Sequence, residues 1–269
     1  MTEPIISVRD LCVAYDGQQV LNRVTLDIQP GEIMVLLGGS GSGKSTMLRH
    51  IIGLERPDSG TVLVRGVDIN RCSAKTLRDI RRSVGVAFQD AALFNSLSTE
   101  ENVGLPMREL TTLAEPVIEI MIYMKLAVVG LGADGKLLPY ELSGGMKKRA
   151  AVARAIALDP NILVFDEPSA GLDPIVSAEL DELILFLKRA FQMTILVVTH
   201  EIASAFRIAD RVAMLYKGSL ISVDSKDAFK TSTDPRIRQF LDRVPDPITE
   251  SAAVQDHLRE LAGITGGAR

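Results

Sequence analysis

Apolar and polar residues alternate over residues 5–15 and again over 20–28, where Val24, Leu26 and Ile28 interleave with Thr25, Asp27 and Gln29. A period of two is that of half-buried strands, and Asp16-Gly17 and Pro30-Gly31 supply turns after each run. Residues 33–37 are instead wholly apolar, as a strand buried on both faces of a parallel sheet requires. Over 45–54 the spacing becomes helical at Met47, Leu48, Ile51 and Ile52. A turn at Pro57-Asp58-Ser59-Gly60 leads into a strand over 61–64, and Gly66-Val67-Asp68 closes a hairpin. Residues 73–82 suit a short helix, and 83–88 read as a further buried strand that ends on Gln89.

From about residue 91 to 140 the pattern turns helical. Ser98 with Glu101 forms a candidate capping box, and 115–129 carry helical spacing between charged positions. Strand and helix alternate again afterwards. A helix over 147–158 is stopped by Asp159-Pro160. A buried strand over 162–165 ends in Asp166-Glu167-Pro168, an amphipathic helix covers 177–191, and a β-branched strand over 194–199 ends at His200. Two closing strands, 211–216 and 219–223, flank Lys217-Gly218. The pattern predicts an α/β fold with a mixed sheet core, an N-terminal antiparallel β subdomain and a helical subdomain inserted over about 91–158. It places the main domain at 1–224 and a charged, helical C-terminal extension at 225–269. No internal repeat is present.

The strand at 33–37 runs into Gly38, Gly39, Ser40, Gly41, Ser42, Gly43, Lys44, Ser45 and Thr46, a G-x-x-x-x-G-K-S loop followed by a helix. Such glycines let successive N–H groups point at one anion, and the helix N-terminus favours negative charge. Lys44 is then placed to reach the β- and γ-phosphates of a nucleoside triphosphate, and the Ser45 hydroxyl to coordinate Mg²⁺. Asp166, closing an apolar strand, is the expected Mg²⁺ carboxylate, and Glu167 beside it is placed to polarise a water for in-line attack on the γ-phosphate. Gln89 and His200 end strands at the edge where open α/β sheets bind their ligands, His200 within reach of the γ-phosphate or the attacking water. Leu142-Ser143-Gly144-Gly145-Met146 precedes the 147–158 helix.

Composition narrows the class. The chain has 269 residues, 46% of them hydrophobic, enough for one large α/β domain. A formal net charge of −4 argues against a general attraction to nucleic acid, and the cluster Arg78, Arg81 and Arg82 reads as a solvated helix face. Cys12 and Cys72 have neither metal-ligand nor disulfide-framework spacing, which fits a reducing compartment. The longest apolar region, 117–129, is too short to cross a membrane and is broken by Glu119 and Lys125; the N-terminus has no signal-peptide pattern. Any membrane role is therefore expected to be peripheral.

Together these motifs resemble the ATP-binding subunit of ABC transporters, over residues 5 to about 224. The resemblance implies that Leu142-Ser143-Gly144-Gly145 is the signature motif, with Ser143, Gly144 and Gly145 capping a γ-phosphate held by the opposite subunit. It makes Tyr15 the aromatic that stacks on adenine, Gln89 the Q-loop residue that joins the metal and catalytic groups, Ser169-Ala170-Gly171-Leu172-Asp173 the D-loop and His200 the switch histidine. Met146 stands where the common signature has Gln, beyond the phosphate-contacting residues. The cofactors implied are ATP and Mg²⁺, and the assembly is a head-to-tail dimer with integral-membrane permease subunits. The run from Ala91 through Glu109 and the segment Thr233 to Leu241 are similar to the ATPase of MCE-associated, Mla-type phospholipid transporters. That likeness implies a peripheral subunit on the cytoplasmic face of the inner membrane, with an MCE-domain protein and, in some systems, a STAS-domain partner. The apolar positions Ile237, Phe240, Leu241 and Val244 of the extension call for burial, either on the chain's own domain or, as the likeness implies for the tail beyond Pro245, on a neighbouring subunit or an accessory protein. The alternatives are an importer of an amino acid or other small solute, and ABC ATPases without a permease. Members of the latter class carry a long coiled-coil insertion or two such domains, whereas here the insertion is short and the P-loop single.

Overall fold

The structure, a computed structural model, describes residues 3–245. Chain order begins with β1 (Ile6–Tyr15), β2 (Gln18–Ile28), β3 (Ile33–Leu37), α1 (Lys44–Ile51), β4 (Ser59–Val64), β5 (Val67–Asp68), α2 (Ala74–Arg82) and β6 (Val84–Ala87). The helical stretch follows with α3 (Thr99–Leu110), α4 (Glu115–Val128), a 3-10 turn at Pro139–Glu141 and α5 (Gly144–Ala155). The chain then forms β7 (Ile162–Asp166), α6 (Pro174–Phe191), β8 (Thr194–Thr199), α7 (Ile202–Ile208), β9 (Arg211–Tyr216) and β10 (Ser219–Ser225). Two short helices, α8 (Lys226–Lys230) and α9 (Pro235–Leu241), end the described chain.

Four strands make an antiparallel sheet in the order β2-β1-β4-β5, with Val8 opposite both Leu26 and Val62. All three side chains are buried, so the period-two pattern lays one apolar face on the core. The larger sheet runs β10-β9-β3-β8-β7-β6, parallel except for β10. Every residue of β3 and β8 is buried, which is why β3 reads as an unbroken apolar run and β8 as an apolar run closed at each end by a threonine. Removing one such side chain, as in Leu36→Ala, costs about 2–5 kcal/mol. Lys217 and Gly218 join β9 to β10 with φ of +47° and +79°, the left-handed pair that a two-residue hairpin loop needs.

Register brings the functional strand ends to one edge. Leu37 pairs with Thr199 and Asp166 with Val198, so the segments starting at Gly38, Glu167 and His200 leave the sheet side by side. Such carboxyl ends are where parallel sheets hold ligands. β6, which leads to Gln89, lies at the far edge, separated from β3 by β8 and β7.

The α3 start has the reciprocal bonds of a capping box: Glu101 N donates to Ser98 Oγ at 3.2 Å and Ser98 N donates to Glu101 Oε2 at 2.7 Å. Two other helices, α5 and α6, begin three residues earlier than the 147 and 177 that the apolar periodicity indicates. α5 starts at Gly144 because Ser143 caps it, accepting from Met146 N at 3.2 Å. α6 starts at Pro174 because the Asp173 carboxylate accepts from Ile175 N and Val176 N at 2.9 and 3.0 Å. α7 was not anticipated.

The chain divides into two compact units at Thr233/Asp234. In the second, Asp234 caps α9 and pairs with Arg236, which pulls its pKa down to about 2. The expectation for the tail past Pro245 lies outside the described residues.

Candidate nucleotide site

At the end of β3 the chain passes through Gly38 with φ of +159°, where an added Cβ would lie 2.4 Å from Leu215 O and 2.6 Å from Ser42 Oγ. Gly43 has φ of +102°, and a Cβ there would come within 2.7 Å of Leu21 Cδ2. Conformation and space thus both demand glycine at the two ends of the loop. α1 begins at once with no side-chain cap, so its first-turn N–H groups stay open to an anion. Gly39, Ser40, Gly41 and Ser45 are exposed, Thr46 is half-buried, and Ser42 Oγ is buried without a partner. Lys44 is only 8% exposed; its ammonium donates to Gly38 O at 2.8 Å and Gly39 O at 3.0 Å. Burial pushes its pKa down, while Glu167, whose Oε1 stands 4.0 Å away, pulls it up.

Across the edge, Glu167 takes φ of +47° and its N–H donates to Val198 O at 2.8 Å. Its Oε2 accepts from Thr199 Oγ1 at 3.2 Å, from His200 N at 3.3 Å and from His200 Nδ1 at 2.9 Å. A buried carboxylate held on one oxygen by three donors is fixed in direction, and the second oxygen faces Lys44. This arrangement can orient a water between the carboxylate and a phosphate bound at the loop.

Asp166, beside it, keeps Oδ1 buried and unpartnered. Burial first, and the Glu167 charge second, hold its pKa above the ordinary range. An orphaned carboxylate oxygen and an exposed serine hydroxyl offer the oxygen donors that fit Mg²⁺, which takes one or two protein oxygens and completes its shell with phosphate and water. Among the described residues no cluster of three His, Cys, Asp or Glu side chains exists to hold a metal without that help. Gln89 is exposed, and its carbonyl accepts from Lys148 Nζ at 2.5 Å.

Tyr15 ends β1 and is 41% exposed. Its hydroxyl bonds Glu55, the main cause of its raised pKa, and lies within reach of Thr46 in the first turn of α1. The ring is therefore beside the phosphate loop. Ser143 and Gly144 are exposed, and among the described residues no hydrogen bond or ion pair joins them to that loop. Gly145 has a packing reason besides any phosphate contact, since a Cβ would come within 2.6 Å of Val176 Cγ1 on α6. Two participants escaped the sequence reading. Thr199 carried a signal, a polar residue closing an apolar strand; Lys148, inside a helix, carried none.

A glycine loop wrapped around a buried lysine, facing a carboxylate pair across the ends of parallel strands, defines a P-loop nucleoside triphosphatase. The sequence profile of the ABC transporter family matches residues 21–170. A "Probable ribonucleotide transport ATP-binding protein mkl" of Mycobacterium leprae is 45% identical over 236 residues, covering 88% of this chain and 68% of that protein. The "Intermembrane phospholipid transport system ATP-binding protein MlaF" of Haemophilus influenzae is 38% identical over 262 residues, covering 97% of this chain and 99% of that one. Among solved structures, the dimeric post-hydrolysis state of the ATP-binding cassette MJ0796 bound to ADP and Pi superposes with a TM-score of 0.76 at 30% identity, covering 82% of this chain and 98% of that one. CbiO1 of Clostridium perfringens, part of the ABC transporter complex cbiONQ, superposes with a TM-score of 0.79 at 28% identity, covering 96% and 100%. The chain belongs to the ABC transporter family and is its ATP-binding, ATP-hydrolysing cassette.

Proposed function

We propose that this cassette powers phospholipid transport between the membranes of a cell envelope, with two copies arranged head to tail. The observation that carries the chemistry is the convergence of Lys44, Glu167 and His200 on one edge of the sheet. Lys44 and the amides of the 38–46 loop would bind the phosphates, Tyr15 would stack on the adenine, and Ser45, Asp166 and Gln89 would hold Mg²⁺, which would neutralise phosphate charge. Glu167 orients the attacking water while His200 and Thr199 hold its carboxylate in place. The Ser143-Gly144-Gly145 segment, free of its own loop, caps the γ-phosphate of the other copy. The two-copy arrangement is supported by the dimeric form of the similar cassette MJ0796.

The helical subdomain at about 91–158, set within the 1–224 domain, passes closure to permease subunits. An MCE-domain protein and a STAS-domain protein complete the assembly, and the cassette sits on the cytoplasmic face of the inner membrane. No helix among the described residues is long and apolar enough to cross a membrane. Phospholipid cargo is supported by the near full-length likeness to MlaF proteins. The higher identity to the protein named for ribonucleotide transport favours a second reading, a nucleotide cargo. Purifying the chain in detergent with the membrane subunits it retains, then identifying bound small molecules by mass spectrometry, separates the two. Phospholipid bound in the complex supports the first, ribonucleotide the second.

A further inference from the structure

Lys148 lies on α5, five residues past the Ser143 cap, and its ammonium reaches back toward the sheet. It donates to Gln89 O at 2.5 Å and to Glu167 O at 3.2 Å. The second carbonyl belongs to the residue whose left-handed backbone, φ of +47°, aims the carboxylate at Lys44. A non-glycine residue in that conformation is held there by its surroundings. The ammonium is partly withdrawn from water, so burial pushes its pKa down while Asp90, Glu167 and Asp166 pull it up. Further along the helix, Arg154 donates to Ala92 O at 2.7 Å and Ala91 O at 2.8 Å, two consecutive residues that also have positive φ. α5 therefore grips the segment 89–92 at three carbonyls and the Glu167 turn at a fourth.

We propose that Lys148 is a positioning residue for hydrolysis, a clamp by which α5 sets the backbone of both Gln89 and Glu167. The proposal rests on Glu167 orienting the attacking water and on the Ser143 segment meeting the other copy's nucleotide. A helix is stiff over the roughly 7.5 Å that separates five residues. Any shift of the Ser143 end on nucleotide engagement is then delivered by Lys148 to the water-orienting carboxylate of its own site. Each site would be tuned by the occupancy of the other.

The test compares Lys148→Met and Lys148→Arg with wild type in the full-length chain, measuring MgATP turnover, KM, nucleotide affinity and Tm. Loss of a charge-assisted clamp on two carbonyls is expected to lower kcat about 10–100-fold in Lys148→Met, with KM and affinity within about twofold. Lys148→Arg, whose forked donors can reach two carbonyls, is expected to recover most of that loss. Wild-type kcat in Lys148→Met, a parallel loss of nucleotide affinity, or an Arg variant no better than Met would each overturn the proposal. If Lys148→Met does not fold, Lys148→Gln takes its place with the same expectations. Glu167→Gln, run alongside, separates the two ideas. Wild-type turnover there sinks the role of Glu167 itself, whereas lost turnover there with an unaffected Lys148→Met sinks only the clamp.

Discussion

The phosphate loop offers a paired substitution whose outcome follows from geometry. In Gly38→Ala the new Cβ would stand 2.4 Å from Leu215 O and 2.6 Å from Ser42 Oγ. Leu215 is fully buried in β9, which pairs directly with β3, so its carbonyl cannot swing aside as a side chain could. The strain must go into the loop or into the central sheet. Overpacking of this kind costs about 1–3 kcal/mol, and for a domain of this size each kcal/mol lowers Tm by about 2–4 °C. Because the obstacle is backbone, the upper half of that range applies, and a fall of roughly 5–10 °C is expected. Gly39→Ala is the control: nothing lies within 4 Å of its Cβ and its φ is not positive, so Tm is expected to stay within about 1 °C of wild type. Thermal unfolding by circular dichroism reads both. A Gly38→Ala protein as stable as wild type, or a Gly39→Ala protein as damaged as Gly38→Ala, would refute the loop geometry.

Thr199→Val keeps the shape of a fully buried residue but removes the hydroxyl that donates to Glu167 Oε2, so kcat is expected to fall about tenfold with ATP affinity unchanged. Steady-state kinetics beside a nucleotide titration decide it, and an unchanged kcat would mean that the hydroxyl does not position Glu167. Asp181 concerns pH: burial raises its carboxyl pKa, opposed by the hydrogen bond from Ser204 and by Arg207. The folded form holds that proton to higher pH than the unfolded chain, so stability is lost as pH rises from the ordinary aspartate pKa through the raised one. Asp181→Asn removes this loss and is expected to raise Tm more at about pH 7 than at about pH 4; an equal change at both would contradict the burial argument.

Local pattern revealed most of the elements, because alternation in β1 and β2 and the apolar runs of β3, β7 and β8 each report burial directly. The capping box at Ser98 and the glycine loop were legible for the same reason, as their bonds span only a few residues. What lay hidden depends on residues distant in sequence. The contact of His200 with Glu167 requires β7 beside β8, and the Lys148 bonds cross 59 and 19 residues. The positive φ of Glu167, Ala91 and Ala92 leaves no trace in residue type, unlike the glycines of the loop. α7 spans just seven residues, too few for its spacing to stand out after the strand end at His200. Asp173-Pro174, by contrast, carried a readable start signal for α6, an N-cap carboxylate followed by a first-turn proline.

Turnover of Glu167→Gln in MgATP, measured beside nucleotide affinity and the oligomeric state by light scattering, tests the account most directly. The substitution preserves size and removes the charge facing the phosphate loop. If Glu167 orients the attacking water, ATP is expected to bind as in wild type, turnover to fall about 10²–10⁴-fold and the ATP-bound dimer to accumulate. Hydrolysis at the wild-type rate would contradict it.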